Sequence, residues 1–341
     1  MEELWQILSG IAAHSGPPGS PELRRDIEAG LEVLQSEGPP RRPLDAGGRP
    51  GGLIYLERDR PTVIVPDVHG RVELVLSVLA FSLTPWGIEQ PLFGALVNGG
   101  AQLLFLGDYV HSEARGARRW IEAFAEFEDG YTVHEAMDAE MAESLTVLRL
   151  VARLRSGLPD VVHCLKGNHE NVANEHREGN IPFGKFAYEG AMVAEYMRRF
   201  YPDALDAVYA FEKALPLLAV GRSFLAGHCE PMRVFDPKEV INHRMNADVV
   251  AGLTWTANDA AEVGSVEGML KGHLPESEAP DSRYFGGHRP IDGLYNLRAE
   301  GRYVQLHNPQ AFVAAVVPVD RPFDLDVDVV EIPRFSGADY G

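Results

Sequence analysis

Five short blocks of this 341-residue chain carry side chains suited to hard or borderline cations. They are Pro66-Asp67-Val68-His69-Gly70, Gly107-Asp108-Tyr109-Val110, Gly167-Asn168-His169-Glu170, Gly227-His228 and Gly287-His288. Carboxylate, imidazole and amide oxygen together make the mixed ligand set of a two-metal hydrolytic centre. Two dications side by side repel, so such a centre needs a carboxylate shared between them, and a water held by both becomes a hydroxide nucleophile. The pattern assigns Asp108 as the shared carboxylate. Asp67 and His69 turn onto one ion, His288 completes that shell, and Asn168 and His228 hold the other ion. Glycine beside each block lets the backbone turn sharply and come close to a metal or a phosphate. Any one of these residues alone is more simply a turn cap or a hydrogen-bonded loop histidine; five blocks in order outweigh that reading.

Such residues are far apart in sequence, so strands must gather them. Thr62-Val-Ile-Val65, Gln102–Leu106, Val161–Leu165 and Ser223–Ala226 are short β-rich runs, each ending at one of the blocks. Helical spacing follows near 71–82, 117–128, 134–155, 184–200 and 203–213. After about residue 281 the sequence turns strand-rich, with Tyr295–Leu297, Tyr303–Leu306 and Ala311–Val317. This is the grammar of a mixed-sheet α/β domain, in which ligands collect at the carboxyl ends of strands. Ahead of it, residues 2–13 and 21–36 predict a helical hairpin, and the Pro/Gly-rich stretch 37–52 a linker. The expected division is therefore residues 1–52, hairpin and linker, and residues 53–341, the main domain.

Composition narrows the function classes. Lys+Arg total 31 against 50 Asp+Glu, a formal charge of −19, so the exterior repels polyphosphate backbones and argues against nucleic-acid or anionic-membrane binding. Apolar residues at 45% and charged residues at 24% are ordinary for a folded soluble chain and exclude a disordered or membrane class. Cys164 and Cys229 alone make no disulfide framework, and the acidic Met1-Glu2-Glu3 start is unlike a secretory signal, so a cytoplasmic location is expected.

The ordered blocks resemble the calcineurin-like metallophosphoesterase superfamily, and within it the phosphoprotein phosphatase (Ser/Thr phosphatase-like) branch, over about residues 61–318. That branch reads Gly-Asp-x-His-Gly, Gly-Asp-x-Val-Asp-Arg-Gly, Gly-Asn-His-Glu, His-Gly-Gly and a late histidine. The flanks Phe211-Glu-Lys-Ala-Leu-Pro-Leu217 and Leu253-Thr-Trp255 are also similar to it. The resemblance implies an α/β fold of two mixed β-sheets packed as a sandwich flanked by helices, with a dinuclear site at strand ends. It implies a metal-dependent phosphoesterase that hydrolyses phosphate monoesters, Ser/Thr protein phosphatase-like, by attack of a metal-bridging hydroxide. Two divalent ions are the cofactors, Mn2+ first, with Fe, Zn or Mg as the others. The partner is a phosphorylated substrate, either a phosphoprotein or a small phosphate ester.

The chain also departs from that pattern. Val110 is followed by His111-Ser112-Glu113-Ala114-Arg115-Gly116, three residues longer than the family's Asp-Arg-Gly. Aligning Arg115-Gly116 with the family's Arg-Gly makes Arg115 a phosphate clamp. The family's Asp that orients the histidine of Gly-Asn-His-Glu has no direct equivalent, so Glu113 or His111 takes that place. His169 is the general acid. Arg289 is expected as a further substrate-binding residue, with Arg233 and Arg283 as rivals, and His288 is preferred to His273 as the late ligand. The helical insertion at 117–150 is expected to cap the cleft. His14, His134, His163, His176, His243 and His307 are read as ordinary core or surface histidines. Two other functions stay open: hydrolysis of dinucleoside polyphosphates or another nucleotide, and a catalytically silent binding module on the same fold.

Overall fold

The run Thr62-Val-Ile-Val65 has no polar face to offer solvent, and it is buried on both sides between helices and a second sheet. The computed structural model describes residues 2–335. In chain order its strands are β1 (Leu53–Tyr55), β2 (Thr62–Val65), β3 (Gln102–Phe105), β4 (Val162–Cys164), β5 (Leu218–Gly221), β6 (Phe224–Gly227), β7 (Arg283–Gly286), β8 (Asn296–Arg298), β9 (Tyr303–Gln305), β10 (Val313–Val317) and β11 (Val329–Glu331). One mixed sheet has the order β11-β10-β2-β3-β4 and the other β1-β5-β6-β7-β9-β8. In the first, β3, β4 and β10 are buried in the same way as β2, while β8 at the edge of the other sheet is largely exposed. Within them β2, β3 and β4 run parallel, as do β6, β7 and β9.

Alternation along each strand sorts the core into layers. Ile64, Leu104, Ala226, Phe285 and Val304 fill the space between the sheets. Val63, Val65, Leu103 and Phe105 face the helices of one outer layer: α1 (Glu2–Ala12), α2 (Ser20–Ser36), α3 (Val72–Ala80), α4 (Leu92–Val97), α5 (Ala117–Glu128), α6 (Glu135–Gly157), α7 (Glu189–Phe200) and α8 (Pro202–Ala214). On the far side, α9 (Pro237–Ile241), α10 (Ala247–Thr254) and α11 (Ser265–His273) cover the other sheet through Val240, Leu253 and Met269. Among the described residues no helix is long and apolar enough to cross a membrane.

The helices read as a separate hairpin do not stand apart. Leu8, Ile11, Leu23, Ile27 and Leu34 lie in the same buried cluster as β2 and β3. A Cβ on Gly30 would stand 3.0 Å from Ala152, so α2 and α6 approach through a glycine. The change at residue 52 thus marks a change of element type and not a break in the core. Nor does 117–150 form a lid: α6 packs against α1, α2, α3 and β4, and α5 packs on α6 and α7 with Trp120 and Ala123 in the same core. Charged residues of α6 are paired inside the helical layer, Arg149 with Asp26 at 2.8 Å and Arg155 with Glu37.

The buried guanidinium of Arg42 is one of the groups that tie down the stretch 37–52, beside Arg244, which donates to Asp45 and Pro50 O. Arg42 donates to Gly51 O at 2.7 Å and Ala214 O at 2.6 Å, and pairs with Glu37 at 2.7 Å. Arg42→Ala removes all three contacts from the interior and should lower the unfolding free energy by about 3 kcal/mol, read by urea denaturation. A loss under about 1 kcal/mol would show that the loop does not depend on it.

Candidate metal centre

Six strands of the two sheets deliver polar side chains to one place. Asp67 and His69 follow β2, Asp108 follows β3, Asn168 and His169 follow β4, His228 follows β6, His288 follows β7 and His307 follows β9. The turns are tight enough to force His69 (φ 48°), Asp108 (φ 50°), His111 (φ 66°) and His288 (φ 65°) into the left-handed region, which costs non-glycine residues energy. Close approach explains two of the glycines. A Cβ on Gly287 would sit 1.9 Å from Asp67 Oδ1, and one on Gly167 would sit 2.2 Å from Asp108 Oδ1.

Two residues without an assigned role in the sequence hold these turns together. The buried Glu170 carboxylate accepts from the backbone N–H of Asp108 (2.8 Å), Tyr109 (2.9 Å) and Gly167 (2.6 Å), joining the β3 and β4 loops. Buried Arg71 donates to Asp67 O at 2.5 Å, Val68 O at 3.0 Å and Asn308 O at 3.0 Å, joining the β2 loop to the one after β9. Asp67 in turn accepts from His288 N–H at 3.0 Å, and Asp108 Oδ1 from His169 N–H at 2.9 Å.

The donor atoms form two groups around one carboxylate. Asp108 Oδ2 lies 3.4 Å from His228 Nε2 and 3.6 Å from His69 Nε2. His69 Nδ1 donates to His111 O at 2.8 Å and His228 Nδ1 to Leu106 O at 3.1 Å, so carbonyls fix both rings with Nε2 turned inward. On one side stand Asp67, His69 and His307; on the other Asp108, His228 and His288, with Asn168 Oδ1 3.0 Å from His228 Nε2 and 2.8 Å from His288 Nδ1. Buried oxygen and imidazole donors, with the outer nitrogens of His69 and His228 already occupied, fit a pair of divalent ions.

Several expectations change. His288 does not complete the Asp67–His69 group; it faces Asn168, because β7 lies beside β6, and His307 occupies the position expected for it. The signal for His307 was its place directly after a strand, but no glycine precedes it. Glu113 does not face His169. Its carboxylate lies 3.0 Å from His307 Nε2 and 3.8 Å from His69 Nε2, whereas His111 Nδ1 meets His169 Nδ1 at 2.9 Å. Arg115 pairs with Glu143 at 2.5 Å and donates to His69 O at 2.8 Å, and it is not among the residues that line the cleft. Arg289 lines the cleft, with Lys185 as a cation the sequence reading missed. Arg233 pairs with Glu239 at 2.8 Å, Arg283 lines another cavity, and His273 is bonded to Phe235 O at 2.8 Å.

The cleft over these residues measures about 320 Å3, and Phe183, Phe186 and Trp255 line it together with His111 and His169. Phe183 packs on both imidazoles, with ring centroids 4.2 Å from His169 and 4.4 Å from His111.

Charges in the centre are strongly coupled. Burial penalises a charge on His228, but the Asp108 and Asp67 carboxylates prevail and raise its pKa to about 9. Burial also penalises the Asp108 carboxylate, yet His228, His169 and His69 hold it well below the usual range. Burial lowers His169 to about 4, with His69 and His228 adding to it, and burial with His169 and His69 pushes His111 well below the ordinary imidazole value. A ligating imidazole must be neutral, while His228 with a pKa near 9 is protonated at pH 7 without an ion. Binding therefore displaces its proton, and affinity should rise as pH climbs toward about 9. Calorimetric Mn2+ titrations in two buffers of different ionisation enthalpy should report release of about one proton or more at pH 7; heats independent of buffer would contradict this.

No protein-family model matches the sequence, and no curated protein matches it. Among solved structures, a protein serine/threonine phosphatase from Saccharomyces cerevisiae is similar at 13% identity, covering 92% of this chain and 89% of its own, with a TM-score of 0.55. A cold-active protein tyrosine phosphatase aligns over 89% of this chain and 83% of its own at 12% identity (TM-score 0.46). A putative diadenosine tetraphosphatase aligns over 84% of this chain and 100% of its own at 15% identity (TM-score 0.42). With two mixed sheets and flanking helices, the chain shares its fold with that serine/threonine phosphatase, and a buried Asp/His cluster lies at its strand ends.

Proposed function

We propose that this chain is a metal-dependent phosphoesterase acting on phosphate monoesters. The observation that carries the reading is a single carboxylate, Asp108, set between two groups of buried ligand donors beneath an open cleft. Asp67, His69 and Asp108 would hold one ion, and Asp108, Asn168, His228 and His288 the other. When bound, divalent ions supply Lewis acidity, polarising phosphoryl oxygens and lowering the pKa of water.

The protein's own groups do the rest. Lys185 and Arg289, exposed at the mouth of the cleft, attract and orient the phosphate. His169 stands on the cleft wall with Nε2 3.8 Å from Asp108 Oδ2 and Nδ1 held by His111, the position of a group that hands a proton to the leaving oxygen. Phe183 packs against both rings and restricts water around them.

His111 favours one refinement. A neutral imidazole accepts from His169 but brings no negative charge to offset an imidazolium, as a carboxylate would. Leaving groups that depart with little protonation, such as a phenolate or a phosphoanhydride, suit this pair, and Phe183, Phe186 and Trp255 offer flat apolar walls for them. That supports the second reading, a nucleotide or dinucleoside polyphosphate as substrate.

Chelated protein should be inert on p-nitrophenyl phosphate and recover with Mn2+, and Asp108→Asn should lose about a thousandfold in rate. Recovery with no divalent ion, or an active Asp108→Asn, would overturn the assignment. In a substrate panel, aryl phosphates and nucleoside polyphosphates should outrun a phosphoserine peptide in kcat/KM. His111→Asp should narrow that gap; an unchanged ratio would remove His111 from the account.

A further inference from the structure

We infer that His307 is a ligand of the ion held by Asp67 and His69, and that Glu113 orients it. The inference rests on the metal-centre reading above and adds residues to it. His307 leaves the end of β9 fully buried, with Nδ1 3.9 Å from Asp67 Oδ2 and its ring 5.4 Å from that of His69. One donor atom each of Asp67, His69 and His307 lies within 4.8 Å of the others, and His307 Nδ1, like Nε2, makes no hydrogen bond in the protein. The opposite nitrogen, Nε2, is 3.0 Å from Glu113 Oε2. A carboxylate behind one imidazole nitrogen with the other nitrogen free is the arrangement that presents histidine to a metal.

Lack of a partner alone would not distinguish this residue, since buried His163 also has none. His163, however, feels the positive charges of Arg155, Arg41 and Arg60, which disfavour a cation, whereas His307 faces two carboxylates. The same geometry accounts for the longer segment after Val110. Its extra residues place His111 against His169 and carry Glu113 past it to His307. Each ion then has four protein ligands: Asp67, His69, His307 and Asp108 on one side, and Asp108, Asn168, His228 and His288 on the other.

The test is metal content and affinity of the full-length chain, measured by elemental analysis after dialysis against Mn2+ and by calorimetric titration. Wild type should hold two ions. His307→Ala should retain one, and Glu113→Gln should weaken one site about 10- to 100-fold while leaving the other unchanged. His307→Ala with two ions at wild-type affinity would overturn the inference, as would loss of an ion in Glu113→Gln but not in His307→Ala. A wild type without ions would overturn the metal centre itself, and a two-ion wild type without hydrolytic activity would overturn only the enzyme reading. Should His307→Ala fail to fold, imidazole 15N shifts of wild type titrated with Zn2+ decide: His307 Nδ1 should move with the other ligands, and an unmoved Nδ1 would refute its role.

Discussion

A carboxylate buried among histidines, Asp108, is the constraint around which the molecule is arranged. It is withdrawn from water, sits in a strained backbone conformation at φ 50° and is approached by His228, His69 and His169 within 3.8 Å. A buried charge persists only when paired and hydrogen-bonded. Its pairing comes from the histidines, and its conformation is enforced by Glu170 gripping the Asp108 and Tyr109 amides while glycine at position 167 leaves room for the carboxylate. The two sheets, through the parallel strands β2, β3 and β4 and the parallel strands β6, β7 and β9, bring all their carboxyl ends to that carboxylate.

The lateral order of those strands decides which donor serves which ion. In one sheet the sequence β4, β3, β2 sets Asn168, Asp108 and the Asp67–His69 pair in a row. In the facing sheet β6, β7, β9 sets His228, His288 and His307 in a matching row. Asn168 therefore meets His228 and His288, while Asp67 meets His307.

This is why the fold and the blocks were legible in the sequence and the division between shells was not. The blocks announce themselves through Gly-Asp, Gly-Asn-His and Gly-His placed after β-rich runs, and those runs all became strands. Strand order across a sheet leaves no local trace, so nothing in the sequence separates His288 from the Asp67–His69 group or marks His307 as a member of it. Side-chain direction in the segment 111–116 depends on the positive φ of His111, which a string of residues does not display. Charge inside helices is equally illegible: Glu140, Arg149 and Arg155 on α6 are buried and paired with Arg119, Asp26 and Glu37, partners that lie far away in sequence or on another helix.

The net charge of −19 takes on a local meaning in this arrangement. Acidic groups in the centre, Asp67, Asp108 and Glu113, face the ion positions, whereas the cations at the cleft mouth, Lys185 and Arg289, face an arriving phosphate. The central claim is that Asp108 is shared between two ions. Anomalous diffraction from crystals soaked in Mn2+ tests it directly: the account predicts two peaks flanking the Asp108 carboxylate, one beside Asp67 and His69 and one beside Asn168, His228 and His288. A single peak, or none touching Asp108, would contradict it.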